Sequence, residues 1–190
     1  MNRRDAVAPF PGLGEKEGEL LPAIAREALD AYFEGRPPRR GSWGALKDIR
    51  AGAFVTLEKG GRLRGCIGRM ESRDSLPETV SRMALAAALE DPRFPPLAAE
   101  EMRGLCLEVT VLGPLMPLSG PGGLRIGEDG VLIAYKGRTG VLLPQVAVDY
   151  GWDAETFVNQ VCRKAGLPEG AWMEPGAALY SFFGKVFSSG

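Results

Sequence analysis

Arg64-Gly65-Cys66-Ile67-Gly68 brings a thiol, a guanidinium and two glycines together within one short stretch. A nearby cation favours thiolate over thiol, and the thiolate is the nucleophile. Glycines leave backbone open to the close approach of a ligand or another chain segment, and their N–H groups can cradle an anion. The chain contains no histidine, which excludes Ser-His-Asp and Cys-His machinery and any histidine metal site. A proton acceptor must then be Asp, Glu, Lys, Tyr or a thiolate. Cys66 is the candidate nucleophile and Glu108, which interrupts an apolar run, the candidate base. Each also has a plainer reading: Cys66 as a small buried packing residue, Glu108 as a solvated carboxylate on a half-exposed strand. The other two cysteines, Cys106 and Cys162, fall in apolar patterns and read as core. Together the three make no disulfide framework and no zinc spacing, and no dense Asp/Glu pattern suggests another metal.

The elements that must position these residues are legible in turn. Ala53–Glu58 and Arg62–Ile67 read as a hairpin closed by Lys59-Gly60-Gly61. Alternation along the return strand puts Arg64 and Cys66 on one face, with Leu63 and Ile67 on the other. A helix is expected over 17–33, with Pro22 in its first turn and Gly35 as a stop. Ser75 and Glu78 fit a capping box opening a second helix, whose stripe is Val80, Met83, Ala84, Ala87 and Ala88. Asp91-Pro92 ends it near Glu90. Asp91 and Arg93 either form a local turn and ion pair or reach a ligand. Leu105–Leu112 is the clearest strand. After the Pro/Gly-rich crossing 113–123, short strands are expected at 124–126, 131–135 and 141–143. Gln145 then reads as a ligand contact or a backbone cap. A helix follows from Asp153 to Ala165, closed by Gly166 and Pro168, and a last strand over 178–187. Hairpins and clusters, rather than strict alternation of strand and helix, imply an α+β fold with a mainly antiparallel sheet.

At 190 residues, 45% hydrophobic and 25% charged, the chain suits one domain or two joined lobes. Net charge is −1, which argues against a nucleic-acid or anionic-membrane partner. Neither a signal peptide nor a membrane span is evident, so a cytoplasmic protein is expected. Residues 1–14 read as a loose tail.

Leu63-Arg64-Gly65-Cys66-Ile67-Gly68 resembles the signature of the AMMECR family. Asp91-Pro92-Arg93-Phe94 with Pro95-Pro96-Leu97, Leu142-Leu143-Pro144-Gln145-Val146-Ala147, and Trp152 with Lys164-Ala165-Gly166-Leu167-Pro168 resemble three further blocks, in order. Arg69 departs from the small or hydroxyl residue more usual after the signature. The resemblance implies an α+β domain over 15–190 with a larger and a smaller lobe and a cleft between them; the Pro/Gly-rich crossing 113–123 and the hairpins after it put the smaller lobe at about 113–149 and the larger at about 15–112 and 150–190. It specifies neither an activity nor a cofactor. On this reading the cleft holds a small polar or anionic ligand beside Cys66, contacted by Arg64, Gly65, Gly68, Asp91, Arg93 and Gln145. Cysteine-dependent chemistry there would have Arg64 as electrostatic activator and Glu108 as proton acceptor. The rival is a non-catalytic module that docks a Memo-like or radical SAM protein, the grouping called AmmeMemoRadiSam, or RNA.

Overall fold

The structure, a computed structural model, describes residues 13–39, 41 and 43–189. The expected tail therefore lies mostly outside the described residues; of it, Leu13 is buried. The chain divides into two compact units, Met1–Leu112 with Lys185–Gly190, and Gly113–Gly184.

The first unit carries α1 (Glu15–Gly18), α2 (Leu20–Phe33), β1 (Gly52–Lys59), β2 (Arg62–Arg69), α3 (Leu76–Leu89) and β3 (Leu105–Leu112). Its strands run antiparallel in the order β2-β1-β3, so β2 is an edge. Gly60 and Gly61 both take positive φ (57° and 72°), the conformation of the tight hairpin turn whose twist matches the strands it joins. Ala53, Val55 and Leu57 of β1 and Leu105, Leu107, Val109 and Val111 of β3 are buried, forming one apolar face. The other face of β1 and β3 bears Thr56, Glu58, Cys106, Glu108 and Thr110. Glu78 accepts hydrogen bonds from the Ser75 N–H (3.0 Å) and hydroxyl (2.7 Å), fixing the start of α3 as the capping box predicts. The whole predicted stripe of α3 is buried. Arg26 of α2 donates to the carbonyls of Met102 and Leu105, tying the entry to β3 down. The chain's end adds a further tie, with the Ser189 N–H donating to Leu107 O at 2.9 Å.

The second unit holds β4 (Met116–Pro117), β5 (Asp129–Tyr135), β6 (Arg138–Leu142), α4 (Pro144–Asp149), α5 (Ala154–Lys164) and most of β7 (Ala178–Ser188). β5 pairs antiparallel with β6 and β7, and β4 pairs with β7. Phe157, Val158, Val161 and Cys162 of α5 are buried with Val131, Ile133 and Leu142 in one cluster. The Asp153 carboxylate caps α5, accepting from the Thr156 N–H at 2.8 Å. This packing groups residues 150–184 with 113–149, whereas the sequence reading put 150–190 with the larger lobe. No strand forms at 124–126: the Asp129 carboxylate accepts from the Arg125 N–H (2.9 Å) and guanidinium, folding that stretch into a turn.

Two glycines in β2 exist for space rather than for torsion. A Cβ on Gly65 would stand 2.2 Å from the Ala87 carbonyl oxygen of α3, and one on Gly68 would stand 2.2 Å from the Phe54 ring. Gly65→Ala should therefore destabilise the protein by about 2–3 kcal/mol, because helix backbone has to move. Gly68→Ala should cost less, since a side chain can turn aside. Denaturant midpoints of the two variants check this order.

Candidate functional site

Hydrogen-bond geometry at the outer edge of β2 builds the site. Asp91 follows the end of α3, and Pro92 prevents the helix from continuing. The Asp91 carboxylate, 2% exposed, accepts from the Cys66 N–H at 2.8 Å, from the Arg93 N–H at 3.1 Å, and from Arg93 Nε and Nη2 at 3.0 and 2.7 Å. Arg93 Nη2 also donates to the Cys66 carbonyl at 3.4 Å. The ion pair thus takes up both backbone groups that Cys66 presents on its unpaired edge, where another strand would otherwise bind. The guanidinium of Arg93, with the Cys66 and Arg93 N–H groups, holds the Asp91 carboxyl well below the usual carboxylate range against an opposing burial penalty.

Because Cys66 directs its N–H and C=O outward, it meets Thr56 of β1 as a non-hydrogen-bonded pair, the closer of the two antiparallel pairings. Thr56 Oγ1 donates to Cys66 Sγ at 3.4 Å. The thiol is half-buried. Thr56 is opposite Glu108 of β3 as well, so Cys66, Thr56 and Glu108 lie in one row across three strands. Thr56 stands between the two residues that the sequence singled out.

Arg64 is placed otherwise than simple alternation predicts. Leu57 is opposite Gly65 but Glu58 is opposite Leu63, a β-bulge that leaves Arg64 as the inserted residue and moves Leu63 onto the Cys66 face. Arg64 reaches sideways to Glu101, with Nε–Oε1 at 2.8 Å and Nη2–Oε2 at 2.9 Å. Hydrogen bonding from Arg64 lowers the Glu101 pKa to about 2. The remaining nitrogen, Nη1, is buried without a hydrogen-bond partner among the described residues. The guanidinium carbon lies 5.9 Å from the Phe94 ring centroid and that of Arg93 lies 5.4 Å from it, so the ring face serves both cations. Arg64 is thus paired with Glu101 and Arg93 with Asp91, both against Phe94, and Arg93 is the one of the two that also bonds Cys66.

The remaining candidates divide. Gly65 and Gly68 admit α3 and the Phe54 ring. Gln145 belongs to the second unit, at the start of α4, and its Oε1 is buried with no partner among the described residues. Cys162 is buried, and burial pushes its thiol pKa up. Cys106 is exposed rather than core, because it lies opposite Glu58 on the polar face of the sheet. Thr110, on that face, is fully buried and its Oγ1 has no partner among the described residues. Thr56 and Glu101 escaped the sequence reading. A two-residue turn with regular pairing would set Val55 against Cys66, and only the bulge at Arg64 brings Thr56 there.

The AMMECR1 family model matches residues 22–187. A protein of Methanothermobacter thermautotrophicus is 41% identical over 187 residues, spanning 94% of this chain and 97% of its own. One from Thermofilum pendens is 39% identical over 194 residues, spanning 92% and 91%. The crystal structure of an uncharacterized protein from Pyrococcus horikoshii superimposes with a TM-score of 0.87 at 34% identity, over 93% of both chains. The antiparallel sheet with flanking helices is therefore an architecture shared with a solved relative.

The folded-state pKa values of Asp91 and Glu101 lie below their ordinary 3.8 and 4.5. Their contribution to stability is therefore complete above pH about 5 and is lost as pH falls toward about 2. Glu101→Gln should flatten the stability–pH curve in that window, measured by thermal melts from pH 2 to 7. Thr110→Val removes a buried hydroxyl that has no partner among the described residues and should raise stability by about 1 kcal/mol; a loss in denaturant titration would mean that Oγ1 is satisfied.

Proposed function

The chain belongs to the AMMECR1 family, and we propose that its first unit binds a small polar or anionic ligand beside Cys66 and acts on it through the Cys66 thiol. The observation that carries this reading is the treatment of one cysteine. Its backbone is pinned on one side by a buried carboxylate and a guanidinium, and its sulfur meets a hydroxyl on the other. The backbone clamp would serve any residue at this edge; what favours a reactive cysteine is a half-exposed thiol in a segment that a guanidinium bonds, since reactivity needs an electropositive, partly exposed setting. Arg93, half-exposed at 53% of its side chain, supplies the positive field and a ligand-facing guanidinium. Gly65 and Gly68 let helix and ring close in around the strand. Arg64 and Glu101 form the frame that holds Phe94 and Arg93, and Glu108 is the candidate proton acceptor. Gln145 stays a candidate ligand contact of the second unit on the strength of its buried oxygen, which has no partner among the described residues.

A docking role for the same hairpin, with a Memo-like or radical SAM protein as partner, has one observation in its favour. Leu63 is 42% exposed on the Cys66 face, and Arg93 lies at the same strand's edge. Arginine and large apolar side chains are frequent interface anchors.

Alkylation of the native protein separates these readings. Cys66 should react with iodoacetamide ahead of Cys162, and ahead of Cys106 despite the greater exposure of Cys106. Arg93→Ala should slow Cys66 several-fold by removing the guanidinium that binds its backbone and lends the site its positive charge. Cys66→Ala should cost about 1 kcal/mol of stability or less yet abolish the cellular function. Peptide mapping that finds Cys106 modified and Cys66 inert, with function intact in Cys66→Ala, would leave Cys66 as packing and favour docking.

A further inference from the structure

The second unit carries a surface that the thiol reading does not use, where α4 gives way to α5. The geometry points to a docking site there for a short segment of another protein that carries arginine beside an apolar side chain, with the guanidinium lying on the exposed face of Tyr150. This inference is independent of Cys66.

The backbone builds the platform. α4 ends at Asp149 and closes with two hydrogen bonds, from the Gly151 N–H to Val148 O at 3.1 Å and from the Trp152 N–H to Ala147 O at 2.8 Å. Gly151 takes a φ of 64°, so a left-handed glycine turns the chain back on its own helix. The turn sets Tyr150 and Trp152 on either side of Gly151, and their rings stack with centroids 4.8 Å apart and planes at 15°. Trp152 is the inner ring, half-buried against the core cluster that contains Ala147 and Phe157. Tyr150 is the outer ring, and the residue is 69% exposed. One ring face meets the indole, which leaves the other open.

Apolar surface continues beside it. Val148 is 58% exposed. A Cβ on Gly127 would stand 3.1 Å from Val148 Cγ2, so the loop that bears the exposed Ile126 abuts α4. A platform held by backbone hydrogen bonds and core packing loses little freedom when a partner binds. Tyrosine and tryptophan are also enriched among the side chains that carry binding energy.

Charge selects the partner. Residues 144–162 contain three carboxylates, Asp149, Asp153 and Glu155, and no lysine or arginine. Asp149 and Glu155 are exposed, and neither has an ion pair or side-chain hydrogen bond among the described residues. Arg125, the cation of the neighbouring loop, is taken by Glu128 and Asp129, each at 3.0 Å. The basic residues of α5, Arg163 and Lys164, lie in its last turn, at the far end. The surroundings of Tyr150 are therefore acidic, in a chain whose net charge is only −1. An open aromatic face next to an uncompensated carboxylate matches a guanidinium, which stacks on rings and bonds carboxylates through its fork of N–H groups. Val148 and Ile126 match an apolar neighbour of that arginine. The same negative field repels phosphates, which sets nucleic acid aside as the occupant despite the stacking ring.

The test is fluorescence anisotropy on the full chain, with a labelled peptide of repeated arginine-leucine-glycine-serine as the probe. The same repeat with glutamate in place of arginine and a labelled oligouridylate serve as comparison probes. The arginine peptide should bind saturably and the other two should not. Tyr150→Ala should weaken binding about tenfold, whereas Tyr150→Phe keeps the ring face and should stay within about twofold of the unaltered chain. Asp149→Lys should weaken binding about fivefold and make what remains less sensitive to salt. Both side chains are exposed, so thermal melts should not move; should Tyr150→Ala melt early, Asp149→Lys decides alone. No saturable binding, equal binding of the glutamate repeat, or unchanged affinity in Tyr150→Ala or Asp149→Lys would overturn the proposal. So would oligouridylate binding that is lost in Tyr150→Ala, which would assign the ring to bases. A dimer in sedimentation that Tyr150→Ala dissociates would overturn it too, by assigning the surface to a second copy of the chain.

Discussion

A carboxylate placed against the open edge of β2 is the contact on which the site depends. An edge strand presents N–H and C=O groups that must find partners. At Cys66 those partners come from one side-chain pair, Asp91 accepting and Arg93 donating. The pair is assembled locally: proline ends the helix after Asp91, and the carboxylate turns back onto the Arg93 N–H two residues on. A further hydrogen bond from the Leu97 N–H to Ala88 O, at 2.7 Å, folds the segment against α3. A helix end, a turn and an edge strand are therefore fixed by one buried ion pair whose other half faces solvent.

The bulge at Arg64 has a complementary effect. One inserted residue shifts the pairing between β1 and β2, so that Cys66 faces Thr56 and shares the polar face of the sheet. Arg64 itself is released from the alternation and becomes a strut to Glu101 and Phe94. Gly65, beside the bulge, lets the α3 backbone pass where any Cβ would collide. Arginine and glycine in the signature thus serve close packing, while the guanidinium that bonds the Cys66 carbonyl comes from a segment 27 residues later.

Most of the architecture was legible because it rests on periodicity and local chemistry. The capping box at Ser75, the Gly60-Gly61 turn, the alternation of Leu105–Leu112 and the apolar stripe of α5 each depend on neighbours in sequence. What escaped depends on long-range placement. Leu63 changed faces and Thr56 gained its place because a bulge cannot be read from alternating hydrophobicity. Cys106 looked apolar by its neighbours, yet it points to the face where Glu58 and Glu108 lie. The missing strand at 124–126 shows a side-chain carboxylate, Asp129, overriding β-propensity by bonding the Arg125 backbone. The pairing of Asp91 with Arg93 is one of the two readings that their spacing left open; that the pair clamps the Cys66 backbone required coordinates.

Amide hydrogen exchange at Cys66 tests the clamp most directly. The account predicts that the Cys66 N–H, though on an edge strand, exchanges slowly, and that Asp91→Ala releases it to the rate of exposed edge amides while the core amides of β1 stay protected. Rapid exchange of the Cys66 amide in the unaltered protein, or protection unchanged in Asp91→Ala, would contradict it.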